Sequence, residues 1–237
     1  MTGSDVQLVQ SLSRGLAVIR AFDGERPRQS LAQVAEATGL PRATVRRFLH
    51  TLVAEGYAAS NGSVFWLTPK TLELGYSYLS GLGLPAIAQP HLDALSRTLN
   101  ESCSLTVLDT SDVVYVARAA ANRIMSVNIT IGTRFPAYVT SMGRVLLAGL
   151  PPAALDAYLA DIALKPFTPK TVTNPDELKQ LLIDVRRQGH CIVDQELELG
   201  LRSVACPVRG SAGTAVAAVN VSAHAGVVGH REVVDKL

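Results

Sequence analysis

The run GLPRATVRRFLHTLVAEGY, residues 39–57, sets Arg42, Arg46, Arg47 and His50 among mostly apolar neighbours. A guanidinium presents a planar fork of donors that meets phosphate or a guanine edge by paired hydrogen bonds, so a helix face carrying these cations suits a polyanion. A second stretch, YVTSMGRVLLA (138–148), places Thr140 and Ser141 at a helix start, where unpartnered N–H groups and the helix dipole favour an anion. Gly143 would let a ligand approach closely, and Thr140 or Ser141 could equally be plain helix caps. Nearby, Arg134 could hold a carboxylate and Tyr138 offers a hydroxyl to a ligand; a solvated surface position accounts for Arg134 as well.

Nucleophilic chemistry has weaker support. His190 and Cys191 lie near Asp194, and Ser203 follows, but adjacent strand residues face opposite sides, so His190 does not serve Cys191 as a base. No G-x-S-x-G, H-E-x-x-H or P-loop pattern occurs. Three cysteines, Cys103, Cys191 and Cys206, are odd in number and widely spaced, which argues against both a disulfide framework and a structural zinc site. His91, His224 and His230 are too scattered to nominate as metal ligands. No cofactor, metal or catalytic residue is expected.

The elements that must position these residues form two units. The 237 residues are 48% hydrophobic and 18% charged, a globular composition with room for one small and one medium domain. No apolar run reaches membrane-spanning length, and MTGSDVQLVQ lacks the pattern of a secretory signal, so a cytoplasmic protein is expected. The net charge of +2 is uneven: residues 1–70 carry eight Lys/Arg against five Asp/Glu, the remainder fourteen against fifteen. The basic excess is N-terminal.

Residues 6–68 read as three helices and a hairpin. Leu12, Leu16, Ile19 and Phe22 share one face of a first helix, which Gly24 and Pro27 stop. Ser30 and Gln33 form a capping box at the second, and Gly39 closes it. Pro41 suits the first turn of a third helix running to about Glu55, with Val45, Leu49, Leu52 and Val53 inward. Ala35, Gly39 and Val45 fall at helix-turn-helix spacing, and Asn61-Gly62 marks a tight hairpin, a wing. Arg42, Ala43, Thr44 and Arg46 would then enter the major groove of double-stranded DNA, with Arg47 and His50 nearer phosphate, and Ser30 and Asn61 completing the contact set. Thr68 and Pro69 open a linker helix over 69–84, whose apolar face of Leu72, Tyr76 and Leu79 must be covered; dimerisation on a palindromic site is the expected use. Gly81, Gly83 and Pro85 break it.

Residues 85–237 alternate differently. A helix over Pro85–Asn100 with Leu92, Leu95 and Leu99 inward precedes strands in SLTVL, VVYVARA and IMSVNIT; helices follow over Ser141–Leu150 and Asp176–Gln188, and HCIVD, SVACPV and AVAAVNVS complete the strands. Blocks of strands and helices point to an antiparallel α+β sheet.

The runs VQSLSRGLAVIRAF, FWLTPKTLELGYSYL, GTRFPAYVTSMGRVLLA and ELGLRSVACPVR, with the helix-turn-helix, resemble IclR-type transcriptional regulators over nearly the whole chain. The likeness is greatest to the branch controlling aromatic-acid catabolism through the β-ketoadipate pathway, represented by PcaR, PcaU and PobR. It implies a winged helix-turn-helix, a linker helix and a GAF-like domain binding a small organic acid effector such as protocatechuate, 4-hydroxybenzoate, muconate or β-ketoadipate. A homodimer or dimer of dimers, activating or repressing, and a contact with RNA polymerase go with it. Matched motifs carry the effector pocket to Ser141, Met142, Gly143, Asp194, Glu196, Leu201, Ser203, Asn220 and Ser222; members of the family often have cysteine where Ser203 stands. Members usually continue into a further C-terminal helix, whereas this sequence stops at HREVVDKL, so the effector domain is expected to lack it. Competing readings are a metal- or redox-sensing DNA-binding regulator and a cysteine or serine hydrolase.

Overall fold

The computed structural model describes residues 8–121 and 129–226, which divide into two units, 1–81 and 82–237. In the first, α1 (Gln10–Arg20), α2 (Leu31–Thr38) and α3 (Arg42–Ala54) pack around Val18, Val34, Val45 and Leu49. The capping box at α2 is complete: Gln33 N–H reaches Ser30 Oγ, and Gln33 Oε1 accepts from Ser30 N–H. Gly39 then turns the chain at φ +66°, a conformation that costs a residue with a side chain. Pro41 sits one position earlier than expected, as the residue before the first helical turn of α3.

Two inward stripes differ from expectation. On α1 the buried residue is Val18, with Phe22 packed on the core, while Leu12 (63% exposed) and Leu16 (45%) face away. At about 100° per residue, Leu12 and Leu16 lie across the helix from Val18; the apolar spacing of 12, 16 and 19 describes a second face. On α3, Val53 is 36% exposed because it falls between Arg42 and Arg46 around the axis, and Phe48 packs inward in its place.

The wing is a three-stranded antiparallel sheet. β1 (Gln29–Ser30), unexpected from sequence, pairs with β3 (Val64–Leu67), which also pairs with β2 (Ala58–Ser60). Of the turn residues only Gly62 has positive φ, and Asn61 Oδ1 accepts from the N–H groups of Ser63 and Val64, so this is not the twofold-positive turn expected of Asn-Gly. Thr68 does not cap the following helix; its hydroxyl donates to Gly56 O. A 3₁₀ turn, Pro69–Thr71, leads instead into α4 (Leu72–Leu82), which contains Gly81; Gly83, at φ +59°, separates α4 from α5 (Leu84–Leu99), which takes in Pro85. Leu72, Leu74 and Tyr78 are exposed on α4; the side chains of Tyr76 and Leu79 lie outside the described set.

The second unit is a six-stranded antiparallel sheet in the order β6-β5-β4-β9-β8-β7: β4 (Ser102–Asp109), β5 (Asp112–Ala119), β6 (Arg134–Pro136), β7 (Cys191–Asp194), β8 (Leu201–Arg209) and β9 (Ala215–His224). α5 runs against β4 and β5, while α6 (Ser141–Ala148) lies on β7, β8 and β9 and against α8 (Pro175–Gln188). α7 (Pro152–Asp161) and β6 were not expected from sequence. The strand expected in IMSVNIT lies outside the described residues up to Asn128, and Ile129 and Thr130 are not in a strand. Residues 227–237, including His230, lie outside the described set.

Gly143 decides how closely α6 can seat. A Cβ there would meet Ala137 O at 2.1 Å and Ala137 Cα at 2.4 Å, so the glycine admits a neighbouring turn of backbone rather than a ligand. Gly143→Ala is expected to destabilise the unit by about 3 kcal/mol, the upper end for overpacking. Thermal unfolding would register that as a melting point lower by roughly 6–12 °C.

Candidate functional site

Two surfaces carry the chemistry, one in each unit. On α3, Arg42, Ala43, Arg46, Arg47 and His50 are exposed and Thr44 is half-buried. Arg42, Arg46 and His50 follow one another at intervals of four, one line along the helix. None of the three arginines forms an ion pair with a described residue, so no internal partner must be given up before they meet a phosphate or a base. His50 stands edge-on to Phe65 at 6.4 Å, beside a cleft of about 410 Å³ between α3 and the hairpin lined by Arg46, Val53, Ser60 and Ser63. Ser30 Oγ and Asn61 Oδ1 are engaged in their local caps. Arg28, stacked 4.6 Å over the Trp66 ring on β3, is a cation of this unit that helix-pattern reasoning passed over.

In the second unit a cavity of about 30 Å³ opens between the first turn of α6 and the inner face of the sheet. Register builds its floor. Ser203, Ser222 and Ser102 stand in line across β8, β9 and β4, and Ala205, Asn220, Ser104 and Arg118 in the next line across to β5. A bulge at Val116, which lies unpaired between Tyr115↔Thr106 and Ala117↔Leu105, lets Tyr115 and Arg118 both line the cavity although three positions apart. Val139, Thr140, Ser141 and Met142 form the wall on the α6 side; Val193, Leu197 and Leu201 form the other, and Ile129 adds to it.

The polar groups there are partly spoken for. Ser141 Oγ donates to Ser203 Oγ (2.9 Å), Asn220 Nδ2 donates to Ser222 Oγ (2.8 Å), and Arg118 Nη1 donates to Ser104 Oγ (3.2 Å). Among the described residues Asn220 Oδ1 is buried without a partner, and so is Thr106 Oγ1 on the adjoining rung. Buried acceptors left unmet cost free energy, which makes Asn220 Oδ1 a place for a donor. Among the described lining residues Arg118 is the only cation, and no acid accompanies it there. Burial lowers its pKa from the ordinary value, yet a guanidinium stays charged in proteins. Burial pushes the Tyr115 phenol up to about 12, with the nearby Arg118 charge acting in the opposite sense.

Ser141, Met142, Leu201, Ser203, Asn220 and Ser222 thus come together at the cavity, joined by Tyr115, Arg118, Thr140 and Leu197. Thr140 also caps α6, accepting from Gly143 N–H. Five expected residues lie elsewhere. Arg134 is exposed and ion-paired to Asp109 (2.7 Å) and Asp112 (3.2 Å). Tyr138 is buried with its hydroxyl donating to Lys165 O (2.7 Å). Gly143 abuts Ala137, as above. Asp194 bonds Arg202 (3.0 Å), which holds its carboxyl below the usual range. Glu196 is clamped by Arg144, Nη1 to Oε1 at 2.7 Å and Nη2 to Oε2 at 2.6 Å. Arg118 was legible only as one cation within a strand; nothing short of the bulged pairing turns it inward.

Nucleophile geometry is not assembled. Cys191 is buried, its thiol pushed up to about 12 by desolvation, and the Ser203 hydroxyl is bonded to another serine rather than to a base. Among the described residues no three His, Cys, Asp or Glu side chains converge on a metal position, and no helix is long and apolar enough to cross a membrane.

Residues 76–237 match the bacterial transcriptional regulator IclR C-terminal domain, and residues 11–62 match the IclR helix-turn-helix domain. The chain belongs to the IclR family. It is an IclR-type transcriptional regulator. The Pca regulon regulatory protein of Pseudomonas putida is 46% identical over 229 residues, 96% of this chain and 79% of that protein. A crystal structure from Rhodococcus sp. RHA1 shares 56% identity at a TM-score of 0.86, covering 97% of this IclR-family chain and 94% of that one. The inducer-binding domain of Acinetobacter PobR, a double mutant solved with 3-hydroxybenzoic acid, shares 32% identity at a TM-score of 0.60 over 64% of this chain and 89% of that one.

Tyr115 supplies a check on the cavity. Its folded pKa lies above the unfolded value, so the folded state binds more protons between about pH 10 and pH 12, and stability contributed by the neutral phenol is lost as pH rises through that window. Urea unfolding should show a decline of about 2–3 kcal/mol attributable to this group, and Tyr115→Phe should flatten it.

Proposed function

We propose that this regulator binds the anion of a small aromatic hydroxy acid in the cavity beneath α6, and that binding biases how α3 engages operator DNA. The observation that carries the reading is the pairing of one inward cation, Arg118, with an unmet buried acceptor, Asn220 Oδ1. A carboxylate answers the first and a ring hydroxyl, as donor, the second. The neutral Tyr115 hydroxyl adds a further donor beside Arg118. The names borne by the relatives, a Pca regulon regulator and a hydroxybenzoate-bound PobR domain, support aromatic-acid catabolism as the regulated process. The protein acts by binding alone, in the cytoplasm, with no catalytic step.

At about 30 Å³ the cavity is smaller than the roughly 150 Å³ that admits a benzene ring, so the walls must part to receive an aromatic acid. That requirement is itself a route to signalling, because a ligand shifts an equilibrium only by binding one arrangement better than another. On the DNA side, exposed apolar residues on α4 support a homodimer that presents two copies of α3 to a palindromic operator.

Thermal-shift measurements with protocatechuate, 4-hydroxybenzoate, muconate and β-ketoadipate test the effector. A ligand at one hundred times its Kd should stabilise by about 2.7 kcal/mol, and Arg118→Gln should weaken it at least tenfold. Failure of every compound to shift the transition would defeat the reading. For operator DNA, Arg42→Ala should relax base preference by about 1–3 kcal/mol, while Arg47→Ala should weaken all sequences alike and reduce the salt slope by about 1. Identical effects of the two on every DNA sequence would contradict the division of roles.

A further inference from the structure

The Arg144–Glu196 pair lies outside the cavity lining yet touches both of its walls. Arg144 projects from α6 two residues beyond Met142, and its Nε donates to Tyr138 O (2.7 Å), one residue before Val139 and two before Thr140. Glu196 directly precedes Leu197, which lines the opposite wall. The Glu196 carboxylate also accepts from Val172 N–H (3.1 Å), and its carbonyl accepts from the hydroxyl of Thr171 (2.6 Å), so a third segment is tied to the same point. Arg144 is 3% and Glu196 8% exposed. A buried pair of this kind is weak evidence for stability as such, since apolar residues of the same volume often serve as well. Its distinctive property is geometric: a bidentate fork, short on both arms, allows one separation between the segments it joins.

We propose that Arg144 and Glu196 act as a positioning pair that couples the two cavity walls, so that effector affinity depends on the ion pair although neither residue touches the effector. The proposal rests on the effector reading above and adds a regulatory element to that site. The walls must separate for an aromatic acid to enter, and the pair sets how they can do so. Coupling between two sites is reciprocal. If breaking the pair weakens effector binding by some factor, bound effector must strengthen the contacts of the pair by that same factor, and Val172 N–H reports those contacts in the unmodified chain.

The test uses the full chain, 4-hydroxybenzoate and protocatechuate as probes, and operator DNA. Glu196→Gln removes the charge, and Arg144→Lys keeps it while losing the fork and the bond to Tyr138 O. In both variants calorimetric affinity for the probe should fall at least tenfold, with ligand-free operator affinity within twofold of the unmodified protein. A pair that only props up the fold would lower the melting temperature and leave the probe affinity of the folded fraction unchanged; that result overturns the proposal. Should neither variant fold, hydrogen exchange in the unmodified chain decides. Saturating probe should slow the Val172 amide by more than it slows Gly189, the cap of α8, and equal slowing overturns the coupling. If neither probe binds the unmodified protein, the effector reading itself fails and takes the coupling with it, an outcome distinct from a probe that binds protein and variants alike.

Discussion

The close seating of α6 on the backbone at Ala137 is the constraint on which the second unit depends. Gly143 has no side chain to hold the helix away, and the resulting approach buries the whole of α6, Arg144 included. A cation so placed must find partners inside, and it does so through the Glu196 carboxylate and the Tyr138 carbonyl. The same seating brings Ser141 to Ser203 and lays the first turn of the helix over the polar rungs of the sheet. One missing methyl group therefore links a packing requirement, a buried ion pair and the cavity.

Positive charge is handled in opposite ways on α3 and around α6. On α3 the arginines stay in water without ion-pair partners among the described residues, where desolvation costs nothing until DNA arrives, and where salt will screen their attraction. Arg144 is taken from water in advance, and Arg118 is half-buried. Arg144 is fully matched and serves geometry; Arg118 has one serine hydroxyl and keeps donors toward the cavity. On the proposed reading, a half-buried cation beside a buried acceptor left open among the described residues calls for a ligand that answers both, and an acid lacking the hydroxyl would leave the acceptor unmet.

Much of the fold was legible because its signals are local. The capping box at Ser30 and Gln33 and the turn at Gly39 each depend on a few neighbouring residues, and each stands where the pattern placed it. Expectations slipped where two faces of one helix were both apolar: Leu12 and Leu16 offered a stripe as regular as the one around Val18, and only the neighbouring helices choose between them. Short pairings such as β1 and β6 were missed because two or three residues carry no period of their own.

For the cavity, the sequence by itself determined a helix start at Thr140 and Ser141 and the strands that carry the rest, while the resemblance to IclR-type regulators pointed to Leu201, Ser203, Asn220 and Ser222 along them. Strand alternation and helix capping are properties of the chain over a few residues, so they can be read there. Tertiary structure alone decided which charges face the cavity. A bulge turned Arg118 inward, partners across the sheet drew Asp194 and Arg134 into ion pairs, and Arg144 claimed Glu196. Charge pairing is settled by distance between segments remote in sequence, and no local pattern encodes that distance.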